Sequence, residues 1–273
     1  MEGTRSKTAE PMSLAQIKDF WVKAGDAFPT TSQVTPTSRD PYLGALERAN
    51  IVGLLTKDMN VLEIGCGDGS HTLTYAKSCG TIHGVDISPG LLEVAKSRAE
   101  KEAAANVSWT CGSVMELDKL LAGKTFDCLI SQRCLINLPD WDHQMRALDS
   151  LAKLVKPGGT FLLTEGFTEP LDELNKVRTA NNLPAIQVVP YNHNFSVPKF
   201  DAYIVKHFDI AEVRDYGFYL FMSRTLHPMA VAPDSPKHDG PINRATHALD
   251  AFMPKSAFKK FSYNLLYVLR KKG

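Results

Sequence analysis

The chain has no apolar run approaching the length of a bilayer span, which excludes a helical membrane crossing within its 273 residues. Its opening residues are small, polar and charged, where a secretory leader would carry a hydrophobic core. Cysteine is scarce and unpaired in pattern. The five residues at positions 66, 79, 111, 128 and 134 are odd in number and include no CxxC pair. That argues against a disulfide framework or a zinc site and for free thiols in a reducing cytoplasm. No sign of charge dominates either. With 31 basic and 30 acidic residues the net charge is +1, giving no electrostatic footprint for nucleic acid or a membrane surface. The one basic cluster, Arg270 to Lys272, reads as a solvated end. No internal repeat or low-complexity tract is found, so neither a solenoid nor a linker protein is expected. What remains, 44% hydrophobic and 22% charged residues, suits one substantial α/β domain with an insertion, or two small domains.

The chain is organised around residues 61–70, VLEIGCGDGS. Val61, Leu62 and Ile64 form a short apolar run that reads as a buried strand ending in a tight loop. Gly65, Gly67 and Gly69 alternate in the loop, and each lacks the Cβ that would hold a ligand off the backbone. Helical signals over Ser70 to Lys77 follow at once, so the loop delivers a ligand to exposed N–H groups. A second strand, Ile82 to Ile87, carries Asp86 at its carboxyl end. An acid roughly 20 residues past the glycines is placed to accept the hydroxyls of an adenosine ribose. Strand, helix and strand make a βαβ unit.

This cradle could serve NAD or S-adenosylmethionine. The dinucleotide fingerprint is G-x-G-x-x-G, whereas the spacing here is G-x-G-x-G. Glu63 sits in the strand just before the loop, poorly placed beside a pyrophosphate and well placed for a cationic ligand. The stretch resembles the first motif of class I S-adenosylmethionine-dependent methyltransferases, and Asp86 matches the ribose acid of that family's second motif. Leu154-x-Lys156-Pro157-Gly158-Gly159, leading into an apolar strand, resembles a further signature of the family. The resemblance covers about residues 58–168. It implies a Rossmann-like, doubly wound seven-stranded α/β sheet of order 3-2-1-4-5-7-6, with the last strand antiparallel.

Further elements follow from local signals. Ile17, Phe20, Trp21 and Ala24 recur at helical spacing, and Thr30 to Pro41 is a Thr-, Ser- and Pro-rich loop. Pro89 to Ala105 reads as a helix opened by Ser88, Val107 to Thr110 as the third strand, and Phe126 to Ser131 as the fourth. Trp141, Met145, Leu148, Ala152 and Val155 share one helical face, which the KPGG break ends before a fifth strand at Thr160 to Thr164. A helix is expected over Glu169 to Asn181, a loop over Pro184 to Pro198, and strands at Ile210 to Tyr216 and Leu265 to Leu269. The expected organisation is a disordered tail (1–11), N-terminal helices and lid loop (12–57), a cofactor core (58–168), and substrate-side elements of the same domain (169–273).

The resemblance implies S-adenosylmethionine as cofactor, held by Glu63, Gly65, Cys66, Gly67, Asp86 and Ile87. Gly112, Ser113 and Val114 would border the adenine, with Ser113 standing where the family usually has Asp. Gln132 and Arg133 open a loop that in the family passes beneath the methionine arm, near Cys134 and Asn137. Arg39 would meet the methionine carboxylate, or is a surface arginine beside a capping Asp40. No metal is implied.

The acceptor is expected to be a small molecule, by preference a hydroxyl, bound among residues 30–41, 132–138, 165–195 and 218–260. Methyl transfer to a hydroxyl benefits from a general base, for which histidine is suited. His193, in the cluster Tyr191-Asn192-His193-Asn194-Phe195, is the first candidate and His227 the second; each could equally be an ordinary hydrogen-bonding residue. Glu165, at the end of the fifth strand, could orient a substrate or serve as a cap. Phe218, Tyr219, Phe221 and His227 of the long 218–260 segment would suit a pocket wall. The stretches RCLINL and LNKVR, with the histidine loop after them, resemble bacterial methyltransferases of natural products or surface glycans. A small-molecule N-methyltransferase is the alternative. A nucleic-acid or protein methyltransferase would be expected to show a basic groove or an N/D-P-P-Y tetrapeptide, where QRCLINLP stands instead. A nicotinamide-dependent dehydrogenase is disfavoured by Glu63, the glycine spacing and KPGG together. The expected state is a monomer or homodimer, with no membrane or nucleic-acid partner.

Overall fold

The computed structural model describes residues 12–28 and 40–273, and the expected tail and most of the Thr30–Pro41 loop, with Arg39, lie outside the described residues. Two helices come first. α1 (Leu14–Asp26) starts at a reciprocal cap in which Ser13 Oγ accepts from the Gln16 N–H and Gln16 Oε1 accepts from the Ser13 N–H. α2 (Pro41–Val52) starts with Asp40 accepting from the Tyr42 and Leu43 N–H groups and with Pro41 in the first turn.

The core alternates strands and helices: β1 (Asn60–Ile64), α3 (Ser70–Ala76), β2 (Thr81–Asp86), α4 (Pro89–Lys101), β3 (Val107–Cys111), a short α5 (Leu117–Leu120), β4 (Phe126–Gln132), α6 (Trp141–Leu154) and β5 (Val155–Gly166). After them come α7 (Thr168–Ala180), α8 (Val197–Ile204), β6 (Phe208–Asp215), α9 (Gly217–Phe221), α10 (His227–Val231), α11 (Pro241–Asp250), α12 (Lys255–Phe258) and β7 (Asn264–Lys271). The seven strands form one sheet in the order β3-β2-β1-β4-β5-β7-β6. β1 to β5 pair in parallel, and β7 runs antiparallel to both β5 and β6.

Side chains alternate between two cores, one on each face. Leu62, Ile64, Leu129, Phe161 and Leu163 pack on one side, while Val61, Cys128, Ile130 and Leu162 pack on the other. Strand order reverses at β1 and β4, which leaves a crevice at their carboxyl ends, the place where open α/β sheets take ligands.

Three local readings change. α4 ends at Lys101 because Ala103 adopts a left-handed φ of 50° and Asn106 Nδ2 donates to the carbonyls of Ala76 and Gly80, drawing the chain into β3. β5 begins at Val155, not Thr160. KPGG is taken into the strand, where Val155 pairs with Phe126, Gly158 adopts a φ of 74°, and Lys156 Nζ reaches Asp127 Oδ1 at 2.7 Å. α8, carrying buried Phe200 and Ile204 one turn apart, follows the 184–196 loop, for which no helix was expected.

The 218–260 segment is helical and sits over α2. It includes a π-helical turn at Met222–Leu226, within which Arg224 reaches Asp40 Oδ2 at 2.7 Å. Phe218 and Tyr219 are buried in packing, not exposed to a cleft. No helix among the described residues is long and apolar enough to cross a membrane.

Candidate active site

The loop after β1 takes a shape that glycine alone permits easily. Gly65, Gly67 and Gly69 have φ of 67°, 53° and 72°, and a Cβ on Gly65 would fall 2.7 Å from Cys134 Sγ. Gly69 stands at the N-cap of α3, and Asp68 Oδ1 accepts from the Ser70 N–H at 3.2 Å at the start of the helix. Asp86 locks the loop to the end of β2. Its Oδ2 accepts from the Gly67 N–H at 2.8 Å and its Oδ1 from the Ser88 N–H at 2.9 Å.

Around this loop lies a cavity of about 590 Å³. Glu63, Gly65, Cys66, Gly67, Asp86, Ile87, Gly112, Ser113, Val114, Gln132 and Arg133 all line it, so the structure brings together every described residue expected to hold the cofactor. Ser113 Oγ is engaged as a cap, accepting from the Met115 N–H. The roof is α1, through Ile17, Phe20 and Trp21. It is fastened to the 184–196 loop by Phe20 stacking on Tyr191, with ring centroids 4.5 Å apart, and by Trp21 meeting Tyr191 edge-on.

Glu63 is the electrostatic anomaly of the cavity wall. It is 3% exposed, and its Oε2 makes no hydrogen bond among the described residues. Burial pushes its carboxyl up to about 8, the Asp86 and Asp68 carboxylates add to the rise, and the Thr72 hydroxyl opposes it. Asp86 is raised as well, by burial first, against the pull of its backbone hydrogen bonds. Two buried acids without a cation beside a glycine loop are costly alone, and a positively charged ligand offsets that cost. The donor set therefore fits S-adenosylmethionine: carboxylates for a cationic ligand, an acid at the ribose position, and a backbone cradle for close approach.

The floor is a polar chain reaching across four elements. Buried Glu47 of α2 accepts from Gln132 Nε2 at 2.8 Å and Asn264 Nδ2 at 3.0 Å, and pairs with Arg133 at 3.4 Å. Gln132 Oε1 accepts from the Tyr75 hydroxyl and faces His71 Nδ1 at 3.0 Å, while His71 Nε2 faces Arg48 at 3.0 Å. A carbonyl oxygen on one side and a guanidinium on the other fix the tautomer, with the proton on Nδ1. Burial, then the Arg133 and Arg48 charges, push His71 down to about 3, which keeps it neutral. Nothing in sequence spacing pointed to Glu47. A buried acid on an otherwise ordinary helix becomes informative only when its partners are known.

The three catalytic candidates do not join this cavity. Glu165 is fully buried, and its carboxylate accepts from Ser131 Oγ and from the Cys134, Leu135 and Ile136 N–H groups, so it caps the turn after β4. Burial raises it to about 7 against those four bonds. The His193 side chain is exposed and outside the cavity wall, while its backbone pins the loop through Ile136 O and Gln144 Nε2. His227 is buried within the 218–260 segment, paired with Asn243 Oδ1 at 2.8 Å. Of the expected acceptor segments, residues within 132–138 and 189–192 line the cavity; none from 218–260 does.

Residues 61–159 match a family model described as a methyltransferase domain. The chain is 27% identical over 156 residues to a demethylmenaquinone methyltransferase of Tropheryma whipplei, covering 57% of this chain and 61% of that protein. It is 34% identical over 103 residues to a ubiquinone biosynthesis O-methyltransferase of Coxiella burnetii, covering 38% and 42%. The match thus spans less than two thirds of either relative's own length. Among solved structures, the N-methyltransferase NodS of Bradyrhizobium japonicum in complex with S-adenosylhomocysteine shares the fold, with a TM-score of 0.56 at 13% identity, covering 92% of this chain and 98% of that one.

Proposed function

Because the central domain of this chain belongs to the class I S-adenosylmethionine-dependent methyltransferases, we propose that the protein methylates a small-molecule hydroxyl held beneath α1. The observation that carries the proposal is Glu63, a buried carboxylate with an unpartnered oxygen in the wall of the cavity that holds the Asp86-locked glycine loop. When bound, S-adenosylmethionine supplies a methyl group on a positively charged sulfur whose thioether is a ready leaving group. Glu63 answers positive charge, Asp86 takes the ribose, and the Gly65–Gly67 backbone lets the ligand approach closely.

The rest of the site positions and excludes water. α1 covers the cavity with apolar and aromatic side chains, and the turn after β4, held by Glu165, presents Cys134 and Asn137 to it. Catalysis on this reading rests on alignment and desolvation more than on proton transfer.

Alignment and desolvation also suit a neutral amine, which needs no general base and is the second reading. Incubation of the purified chain with S-adenosylmethionine and matched hydroxyl and amine panels, read by formation of S-adenosylhomocysteine, separates the two. Turnover confined to hydroxyl acceptors supports the first, and turnover confined to amines overturns it.

A further inference from the structure

The basic cluster Arg270 to Lys272, expected to be a solvated end, is tied into the fold. Arg270 pairs with Thr160 and Asp209 across the sheet, Lys271 pairs with Phe208, and Lys272 Nζ donates to the Val205 carbonyl. Lys271 thereby reaches a second hollow, of about 430 Å³, built by α6, α8, the turn before β6 and the end of β7. This hollow lies at the end of the sheet away from the cofactor cavity. Asn264, at the other end of β7, is the residue that pairs with Gly166 at the carboxyl end of β5. The two cavities share no lining residue.

The wall of the hollow carries an excess of positive charge. Lys153, Lys206 and Lys271 stand in it against the single carboxylate of Asp149. That carboxylate is already engaged, its Oδ1 accepting from the Tyr203 hydroxyl at 2.8 Å and meeting His207 Nε2 at 2.7 Å. On the neighbouring elements, Asp201 accepts from the Tyr267 hydroxyl and Asp209 faces Lys272 at 3.6 Å. None of the three lysines forms an ion pair among the described residues.

Two of the ammonium groups rest on aromatic rings instead. Lys206 Nζ lies 4.1 Å from the Tyr203 ring centroid, and Lys271 Nζ lies 5.3 Å from that of Phe208. The Tyr203 ring is itself held by its bond to Asp149 and by Trp141 meeting it edge-on. Cations held this way give up little freedom when an anion binds.

Charge and shape select the class of anion. Three ammonium groups against one carboxylate leave two positive charges, with His207 neutral. A phosphate monoester, at about −1.5 to −2 near pH 7, matches that excess, whereas a monocarboxylate cancels half of it. Lysine meets phosphate as a point charge, so ammonium groups from three elements suit a tetrahedral group with three free oxygens.

We propose that Lys153, Lys206 and Lys271 form a binding site for a phosphate monoester, separate from the methyl-transfer cavity. The three ammonium groups hold the phosphoryl oxygens, and Asp149 keeps Tyr203 and His207 in place beneath them.

The test is calorimetric titration of the full chain with glycerol 3-phosphate and with lactate. The phosphate is expected to bind at least about tenfold tighter. Lys206→Ala and Lys271→Ala should each weaken it by about tenfold, with the thermal midpoint and the affinity for S-adenosylhomocysteine unchanged. Co-sedimentation separates the two sources of such a group. Retention by phosphatidylcholine vesicles containing phosphatidic acid, lost in Lys271→Ala, places the phosphate on a lipid headgroup. Binding of the free ester without retention makes it a soluble ligand. Equal binding of the two anions, or no binding of phosphate in either free or lipid form, overturns the site. An equal loss in Lys101→Ala, at the end of α4 on the far side of the sheet order, also overturns it, since the attraction would then be one of overall charge.

Discussion

The Gly67 N–H donates to Asp86 Oδ2 at 2.8 Å, so the glycine loop and the acid at the end of β2 form one unit. The second Asp86 oxygen holds the Ser88 N–H, which opens α4. Replacing Asp86 by Ala strands two backbone donors, at a cost of about 2 kcal/mol. Asp86→Asn keeps one acceptor and should cost about half as much. Both variants should lose adenosyl-ligand affinity by at least tenfold. Thermal denaturation beside calorimetric titration separates the two effects.

Glu63 gives the site a pH dependence of definite sign. Its carboxyl rises from an ordinary 4.5 to about 8 in the folded chain. Between those values the unfolded chain has released a proton that the fold retains, so the ligand-free protein loses stability as pH climbs from 4.5 to 8. Glu63→Gln should flatten that window and leave the free chain more stable than the parent above pH 8. Cationic ligand binding needs the ionised form, so S-adenosylmethionine binding near pH 7 should release a proton, and Glu63→Gln should abolish the release. Titration in buffers of different ionisation enthalpy measures it.

Glu165 is predicted to hold structure. Glu165→Ala removes the acceptor for three N–H groups and one hydroxyl in a fully buried place, and should cost about 3 kcal/mol or more. Glu165→Gln retains the oxygen that accepts three of the four bonds, and should cost less than half of that. Urea denaturation gives both values. A stable Glu165→Ala with only slowed turnover would return the residue to a catalytic role.

Asp40 joins the start of α2 to the 218–260 segment. Burial works against its ionisation, but the Arg224 charge and the bonds from Leu43, Tyr219 and Arg224 hold the carboxyl below its ordinary 3.8. The contribution is present above that value and lost as pH falls below it. Asp40→Asn keeps the helix cap but leaves Arg224 without its carboxylate, and should cost about 3 kcal/mol near neutrality. The difference from the parent should narrow in acid, as a denaturation series across pH would show.

The sheet order followed from the family resemblance, and the residues around the glycine loop were legible because they are written locally. Glycine spacing, an acid just before the loop, another after the next strand, and KPGG each report a backbone requirement at a fixed offset. What escaped depends on contacts distant in sequence. Val155 has helical periodicity with Leu148 and Ala152, yet pairing with Phe126 makes it strand. His193 and His227 have the chemistry of a base, but one points to solvent outside the cavity and the other is tied to Asn243. Glu165 sits where a catalytic acid would, and only the four donors around it reveal a cap. Asn137 and Asn192 are 55 residues apart, so their paired amides could not be read from either motif alone.

Calorimetric titration of the purified chain with S-adenosylmethionine, S-adenosylhomocysteine and NAD, repeated on Asp86→Ala, tests the central claim most directly. The account predicts micromolar binding of both adenosyl ligands, loss of both in the variant, and no heat with NAD. Tight NAD binding without S-adenosylmethionine binding would contradict it and make the cradle a nicotinamide site.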